Sequence, residues 1–193
     1  MLTMENYENG YLELILGCMF AGKTTRMLHI KKMYDILNIP YCIINYKGDT
    51  RYHDTKISTH DKVMEICYRF ENLNEIEKIK EKYKVILINE GQFFSDLVEI
   101  VKELVEEDKK IVYVNALDSD FERNQFKNVS QLIPFCDKYE KLYAMCKTCA
   151  EVGISSKALF SKRITDEKDK IVIGSDNYIP VCRKCYKKKY NKN

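Results

Sequence analysis

Residues 11–25, YLELILGCMFAGKTT, pass from strand-forming residues straight into two glycines, a lysine and two threonines. The apolar half predicts a buried strand over 11–17. The segment behind it predicts a helix over 23–38, with Met27, Ile30, Met33, Tyr34 and Leu37 on one face. Between them Gly17, Cys18, Met19, Phe20, Ala21, Gly22, Lys23 and Thr24 satisfy G-x-x-x-x-G-K-[ST], the Walker A pattern, in its required strand–loop–helix setting. Such glycines let successive N–H groups converge on phosphate oxygens, and the following helix adds the positive end of its dipole. Lys23 is expected to neutralise charge between the β- and γ-phosphates, and Thr24 to put its hydroxyl on Mg²⁺. A glycine turn that matches by chance is the bland alternative, and the flanking strand and helix weigh against it.

Three further runs, YCIINY (41–46), KVILINE (84–90) and KKIVYVNAL (109–117), read as buried strands. Helices are expected between them over 72–83 and 95–107, the second with Ser95 as its N-cap. Alternation of this kind predicts an α/β fold, a P-loop NTPase-type parallel sheet flanked by helices with right-handed crossovers. The chain has 193 residues, 45% of them apolar, enough for one such domain and a small appendage. Near residue 140 helical periodicity fades and cysteine pairs appear. We therefore expect a nucleotide-binding domain over 1–140 and a small module over 141–193. No apolar run is long enough to span a membrane, and the acidic MLTMENYENG start lacks an apolar h-region. The expectation is a cytoplasmic chain with no membrane partner. A net charge of +3 is too small to imply nucleic-acid binding. The basic tail YKKKYNKN reads as a solvated end, with an electrostatic docking arm as the alternative.

In VILINEGQFF (85–94) the strand ends on Asn89, and the carboxylate follows at Glu90. Neighbouring residues of a strand point opposite ways, so Glu90 need not do Asn89's work. A carboxylate beside a γ-phosphate can serve as general base for an acceptor hydroxyl. A capping role at a helix start is the other reading of Glu90. Farther on, Cys146 and Cys149 (CKTC) and Cys182 and Cys185 (CRKC) form two C-x-x-C knuckles. Together they offer four thiolates to one tetrahedral Zn²⁺ with no open position, which makes the metal structural. Two redox pairs or four unrelated thiols are the alternatives, disfavoured by a reducing compartment. Such a clip would pin the roots of residues 150–181 as a lid, with Gly174 and the SDNY run supplying a sharp turn. Cys18, Cys42, Cys67 and Cys136 are scattered and read as buried or incidental thiols.

The runs ILGCMFAGKTT, DTRY…THD, INEGQFF, NALDSDFERNQF, CKTC…SKR and IGSDNYIPVCRKCY stand in the order found in cytosolic-type (class II) thymidine kinases. The chain resembles that family over about residues 11–187. The resemblance implies transfer of the γ-phosphate of ATP to the 5′-hydroxyl of thymidine, giving dTMP for DNA synthesis by nucleotide salvage. It further implies a zinc-binding lasso subdomain, a homotetramer and feedback inhibition by dTTP. By position, Gly17–Thr24 match the ATP loop, and Asp49, Thr50 and Arg51 lie beside the transferred phosphate, where Arg51 stabilises transition-state charge. Glu90 matches the catalytic base, with Asn89, Gly91 and Gln92 on its nucleotide side. Met19, Phe93, Leu117 and Phe121 match the walls around thymine. Ser161, the lasso residues Lys170, Ile171, Val172, Ile173 and Gly174, and Tyr178 match nucleoside contacts. A slot for the 5-methyl group discriminates by only about 1–3 kcal/mol, so deoxyuridine is expected to be a poorer substrate.

This sequence departs from the family pattern in three places. Asn89 replaces a magnesium-associated Asp, the IGSDNY run is one residue shorter, and the segment from 150 to 160 is longer. The first departure keeps a rival reading open, an impaired or non-catalytic nucleotide-binding relative. On the favoured reading Asn89→Asp is expected to be faster or less magnesium-demanding. A P-loop ATPase acting on nucleic acid through a zinc ribbon is a third option, and it would need a basic stripe.

Overall fold

Every residue of β1 (Tyr11–Gly17) is buried, as a strand covered on both faces must be. The computed structural model describes residues 9–48, 56–58, 64–165 and 177–188. Asp49, Thr50, Arg51 and residues 170–174 lie outside them. After β1 come α1 (Lys23–Leu37), β2 (Tyr41–Tyr46), β3 (Lys56–Ser58), β4 (Met64–Ile66) and β5 (Tyr68–Phe70). Then follow β6 (Val85–Ile88), α2 (Leu97–Glu106), β7 (Ile111–Ala116), α3 (Lys127–Ser130) and β8 (Lys138–Leu142). The main sheet has the order β5-β2-β6-β7-β1-β8, and every pairing in it is parallel.

Side chains alternate across this sheet with the two-residue period of a strand. Leu12, Leu14, Ile86, Ile88, Val112 and Val114 face α2 through Leu97, Val101 and Leu104. Ile15, Ile43, Leu87 and Tyr113 face α1 through Met27, Ile30 and Tyr34. The expectation of an α/β fold with a parallel sheet flanked by helices therefore holds, with β1 delivering its loop between two neighbouring parallel strands. Among the described residues no helix is long and apolar enough to cross a membrane.

Several local expectations need correction. Residues 72–83 form two short 3₁₀ segments, Leu73–Lys78 and Lys80–Lys82, rather than an α-helix. The physical cause is legible afterwards. Leu73, Ile76 and Ile79 recur strictly every third residue and all pack on the core, which is the stripe of a three-residue turn. Helix α2 starts after Asp96, not Ser95. The Asp96 carboxylate accepts from the backbone N–H groups of Leu73 (3.1 Å) and Asn74 (3.0 Å), capping the neighbouring 3₁₀ turn. On α1, Met33 and Leu37 are 40% and 56% exposed, so the buried arc is Met27, Leu28, Ile30 and Tyr34. The strands over 84–90 and 109–117 are trimmed to Val85–Ile88 and Ile111–Ala116.

Beyond β8 the chain forms β9 (Ala144–Met145), α4 (Lys147–Ala150), β10 (Lys157–Ala158), β11 (Phe160–Arg163), β12 (Tyr178–Val181) and α5 (Arg183–Tyr186). β9 pairs with β10 and β11 with β12, both antiparallel. Their shared core of Ala144, Ala158, Ile179 and Val181 also takes in Cys18, with Phe20 and Ala21 packed against it. The small module thus packs on the loop that follows β1.

Candidate active site

Gly17 closes β1 at φ 147°, and a Cβ there would stand 2.6 Å from the Leu142 carbonyl oxygen. Gly22, at φ 81°, is the N-cap of α1 in left-handed conformation. Both pattern glycines therefore carry backbone that a side chain would obstruct or strain. Gly17→Ala is expected to cost about 1–3 kcal/mol through the clash and the strained φ. Calorimetry should show a Tm lower by several degrees, and an unchanged Tm would contradict the assigned geometry. Between the glycines, the Lys23 ammonium donates to the Cys18 carbonyl at 2.9 Å. The N–H of Met19 donates to Ser161 Oγ at 2.9 Å, and the Cys18 thiol donates to the Ala158 carbonyl at 3.5 Å. Burial pushes the Cys18 thiol up, so it packs as a neutral group. Ser161, matched by resemblance to a nucleoside contact, is placed against the Gly17–Thr24 loop itself.

At the end of β6 the chain turns sharply at Glu90, φ 55°, into a 3₁₀ turn over Gly91–Phe93. Gly91 permits this turn, because a Cβ there would lie 2.7 Å from Val114 Cγ1. Glu90 occupies the N-cap position but makes no capping side-chain bond, which weighs against the capping reading. Its carboxylate instead accepts from Gln92 Nε2 at 2.6 Å. Gln92 is buried, and its Oε1 accepts from the Leu117 N–H at 3.0 Å. Asn128 Nδ2 braces the turn by donating to the carbonyls of Gln92 (3.1 Å) and Phe94 (2.9 Å). Gln92 thereby fastens Glu90 to the end of β7. A charge-assisted bond of this kind fixes the carboxylate's direction.

Beside Glu90, Asn89 is buried and faces two other amides. The Asn89 side-chain amide lies 2.9 Å from that of Asn45 and 2.7 Å from that of Asn115. The register makes this a single row, since Ile44 pairs with Ile88 and Ile88 with Val114. Neither Asn45 nor Asn115 was singled out from sequence, because only strand register brings them together.

The apolar walls are built from several elements. Phe93 packs against Tyr46 at 5.4 Å between ring centroids. Phe121 lies under the Arg163 guanidinium at 3.8 Å and beside Tyr178 at 6.4 Å. Arg163 also donates to the Tyr178 hydroxyl at 2.7 Å, and the Tyr186 hydroxyl donates to the Phe121 carbonyl at 2.8 Å. Tyr46, Asn128, Arg163 and Tyr186 are supports that motif reading missed.

The four knuckle cysteines converge, their sulfurs all within 4.8 Å of one another. Cys149 Sγ stands 3.9 Å from Cys182 Sγ and 3.6 Å from Cys185 Sγ. Tetrahedral thiolates about 2.3 Å from zinc would be about 3.8 Å apart, so the donor set and spacing fit that ion. Each knuckle repeats one device, a cysteine at the N-cap of a single helical turn, Cys146 for α4 and Cys182 for α5. The Cys185 backbone N–H holds the Cys182 thiol down at about 6, leaving a thiolate ready for a cation.

The family described as thymidine kinase matches residues 10–186. The thymidine kinase of Myxoma virus (strain Uriarra) is 38% identical over 178 residues, covering 92% of this chain and 96% of its own. That of Sheeppox virus (strain KS-1) is 38% identical, covering 92% and 97%. Vaccinia virus (strain Western Reserve) has a thymidine kinase 39% identical over 178 residues, again 92% and 97%.

Proposed function

The chain belongs to the thymidine kinase family and phosphorylates thymidine, and from that premise we propose that its donor is ATP, seated on the Gly17–Thr24 loop. The observation that carries the reading is the Glu90 carboxylate, fixed by Gln92 at the end of β6 two strands from β1. Glu90 takes the proton from the 5′-hydroxyl as that oxygen bonds to the γ-phosphorus. The bond from the γ-phosphorus to its bridging oxygen breaks, and ADP leaves with the electron pair. Lys23, held on a loop carbonyl by 2.9 Å, has its donors at the loop where phosphate oxygens would replace that carbonyl. Thr24 would hold Mg²⁺, which when bound neutralises phosphate charge. Arg51, with Asp49 and Thr50, is assigned to the transferred phosphate by resemblance alone.

Met19, Phe93, Leu117 and Phe121 are proposed as the thymine walls, with Ser161, Tyr178 and residues 170–174 contacting the nucleoside. Phe121 and Tyr178 are already neighbours, gripped by Arg163. The four cysteines would hold Zn²⁺ as a structural clip for a module over 141–193, beside a nucleotide-binding body over 1–140. A homotetramer in the cytoplasm, restrained by dTTP and serving nucleotide salvage, completes the proposal. Exposed Ile36 and Leu37 on α1 and Tyr139 on edge strand β8 are apolar surface of the kind subunit contacts cover.

The test is transfer of labelled phosphate from ATP to thymidine, with deoxyuridine alongside. Thymidine should be preferred by about 5- to 150-fold, the worth of one buried methyl. Tight thymidine binding with no transfer from ATP would favour the impaired, nucleotide-binding alternative.

A further inference from the structure

Three asparagines occupy one row across three adjacent strands, Asn45 on β2, Asn89 after β6 and Asn115 on β7, each no more than 4% exposed. Buried amides must match donor to acceptor along the row, and the far end decides the direction. The Asn115 amide atom that meets Asn89 at 2.7 Å also lies 3.2 Å from the Thr24 N–H, and its other atom lies 3.3 Å from the Ile15 carbonyl. A nitrogen facing Thr24 would oppose a donor, and an oxygen facing Ile15 would oppose an acceptor. The satisfied arrangement puts Asn115 Oδ1 towards Thr24 and Nδ2 towards Ile15. Asn89 must then offer its nitrogen to Asn115 and its oxygen to Asn45, so hydrogen bonds run one way along the row.

Thr24 is the second residue of α1, and its N–H is one of those a helix start leaves without an intrahelical acceptor. We propose that Asn115 is a positioning residue that anchors the phosphate loop through the Thr24 N–H, with Asn89 and Asn45 orienting it, so that position 89 requires an amide and rejects a carboxylate. This rests on the reading of Gly17–Thr24 as the ATP loop. An ionised Asp at 89 offers only acceptors. It would face Asn115 Oδ1 at the 2.7 Å contact, or turn the Asn115 amide over and set its nitrogen against the Thr24 N–H. Either outcome leaves a buried polar group opposed by its like. The outcome expected from sequence for Asn89→Asp is therefore reversed, because the charge and its two amide neighbours cannot be satisfied together.

The experiment compares wild type, Asn89→Asp, Asn115→Ala and the double variant by thermal denaturation, ATP titration and steady-state kinetics. Asn89→Asp should lower Tm and raise the KM for ATP by about 5- to 150-fold, the range of one opposed buried group. The KM for thymidine should change less than about twofold, a split that general destabilisation would not produce. Removing the opposing amide in Asn89→Asp/Asn115→Ala should bring Tm and the KM for ATP to the level of Asn115→Ala alone rather than to the sum of the two losses, a strong departure from additivity. Asn115→Ala alone should weaken ATP. Tighter ATP in that variant would overturn the anchor, showing that the amide competes with phosphate. An Asn89→Asp protein with unaltered Tm and equal or better ATP affinity would overturn the row's constraint. If wild type bound no ATP, the reading of the loop would fail, and the Tm values of the four proteins would still decide whether the row rejects a carboxylate.

Discussion

Glu90→Gln is expected to lower kcat by about 10²–10⁴-fold while the KM for thymidine changes little. The substitution keeps shape and hydrogen-bonding oxygen, so Gln92 Nε2 still has an acceptor at the position it now reaches at 2.6 Å. What disappears, on the proposed mechanism, is the ability to take a proton from the 5′-hydroxyl. An interaction that matters only as the proton moves belongs to the transition state, and its loss falls on kcat. The surrounding turn should survive, because Asn128 and Gly91 hold it through backbone and packing rather than through the carboxylate. Single-turnover kinetics with ATP and thymidine make the measurement. A large rise in the KM for thymidine with kcat preserved would assign Glu90 to binding. Gln92→Ala supplies a graded comparison, since it frees the carboxylate's direction without removing it. It should cost less than Glu90→Gln.

The strand–loop–helix at Gly17–Thr24, the parallel sheet and the four-cysteine cluster were legible in the sequence because each is encoded locally. GCMFAGKT carries its glycines at fixed offsets, β1 and β2 are near-continuous apolar runs, and each C-x-x-C knuckle is one turn long. The rest depends on information that spacing does not hold. Asn45, Asn89 and Asn115 are far apart in the chain and meet only through the registers of β2, β6 and β7. Asp96 caps a turn formed by Leu73 and Asn74 rather than its own helix, so propensity alone pointed to Ser95. In residues 72–83 the three-residue spacing of Leu73, Ile76 and Ile79 was visible, but helix-length charge patterning hid its meaning. Arg163 and Tyr186 escaped notice because their roles are to hold Phe121, and support of that kind has no motif.

Cys182→Ser is expected to release the metal and to disturb ATP as well as thymidine. Metal binding to a structural four-thiolate site contributes on the order of 10–16 kcal/mol in small zinc modules, so a missing ligand threatens the fold around it. Among the described residues the module has two sheets of two strands each, and the cysteines sit inside its core with Ala144, Ala158, Ile179 and Val181. That core includes Cys18, with Phe20 and Ala21 packed on it, and Ser161 of β11 holds the Met19 N–H at 2.9 Å. Loosening the clip therefore removes supports from the Gly17–Thr24 loop directly. Metal analysis should find about one zinc per chain in wild type and a small fraction of that in the variant. Limited proteolysis should cut beyond residue 143, and the KM values for both substrates should rise together. Stoichiometric zinc and unchanged kinetics in Cys182→Ser would refute the four-thiolate site. Lost zinc with an unaltered KM for ATP would instead show that the loop stands without the module, and that Met19 and Cys18 only rest against it.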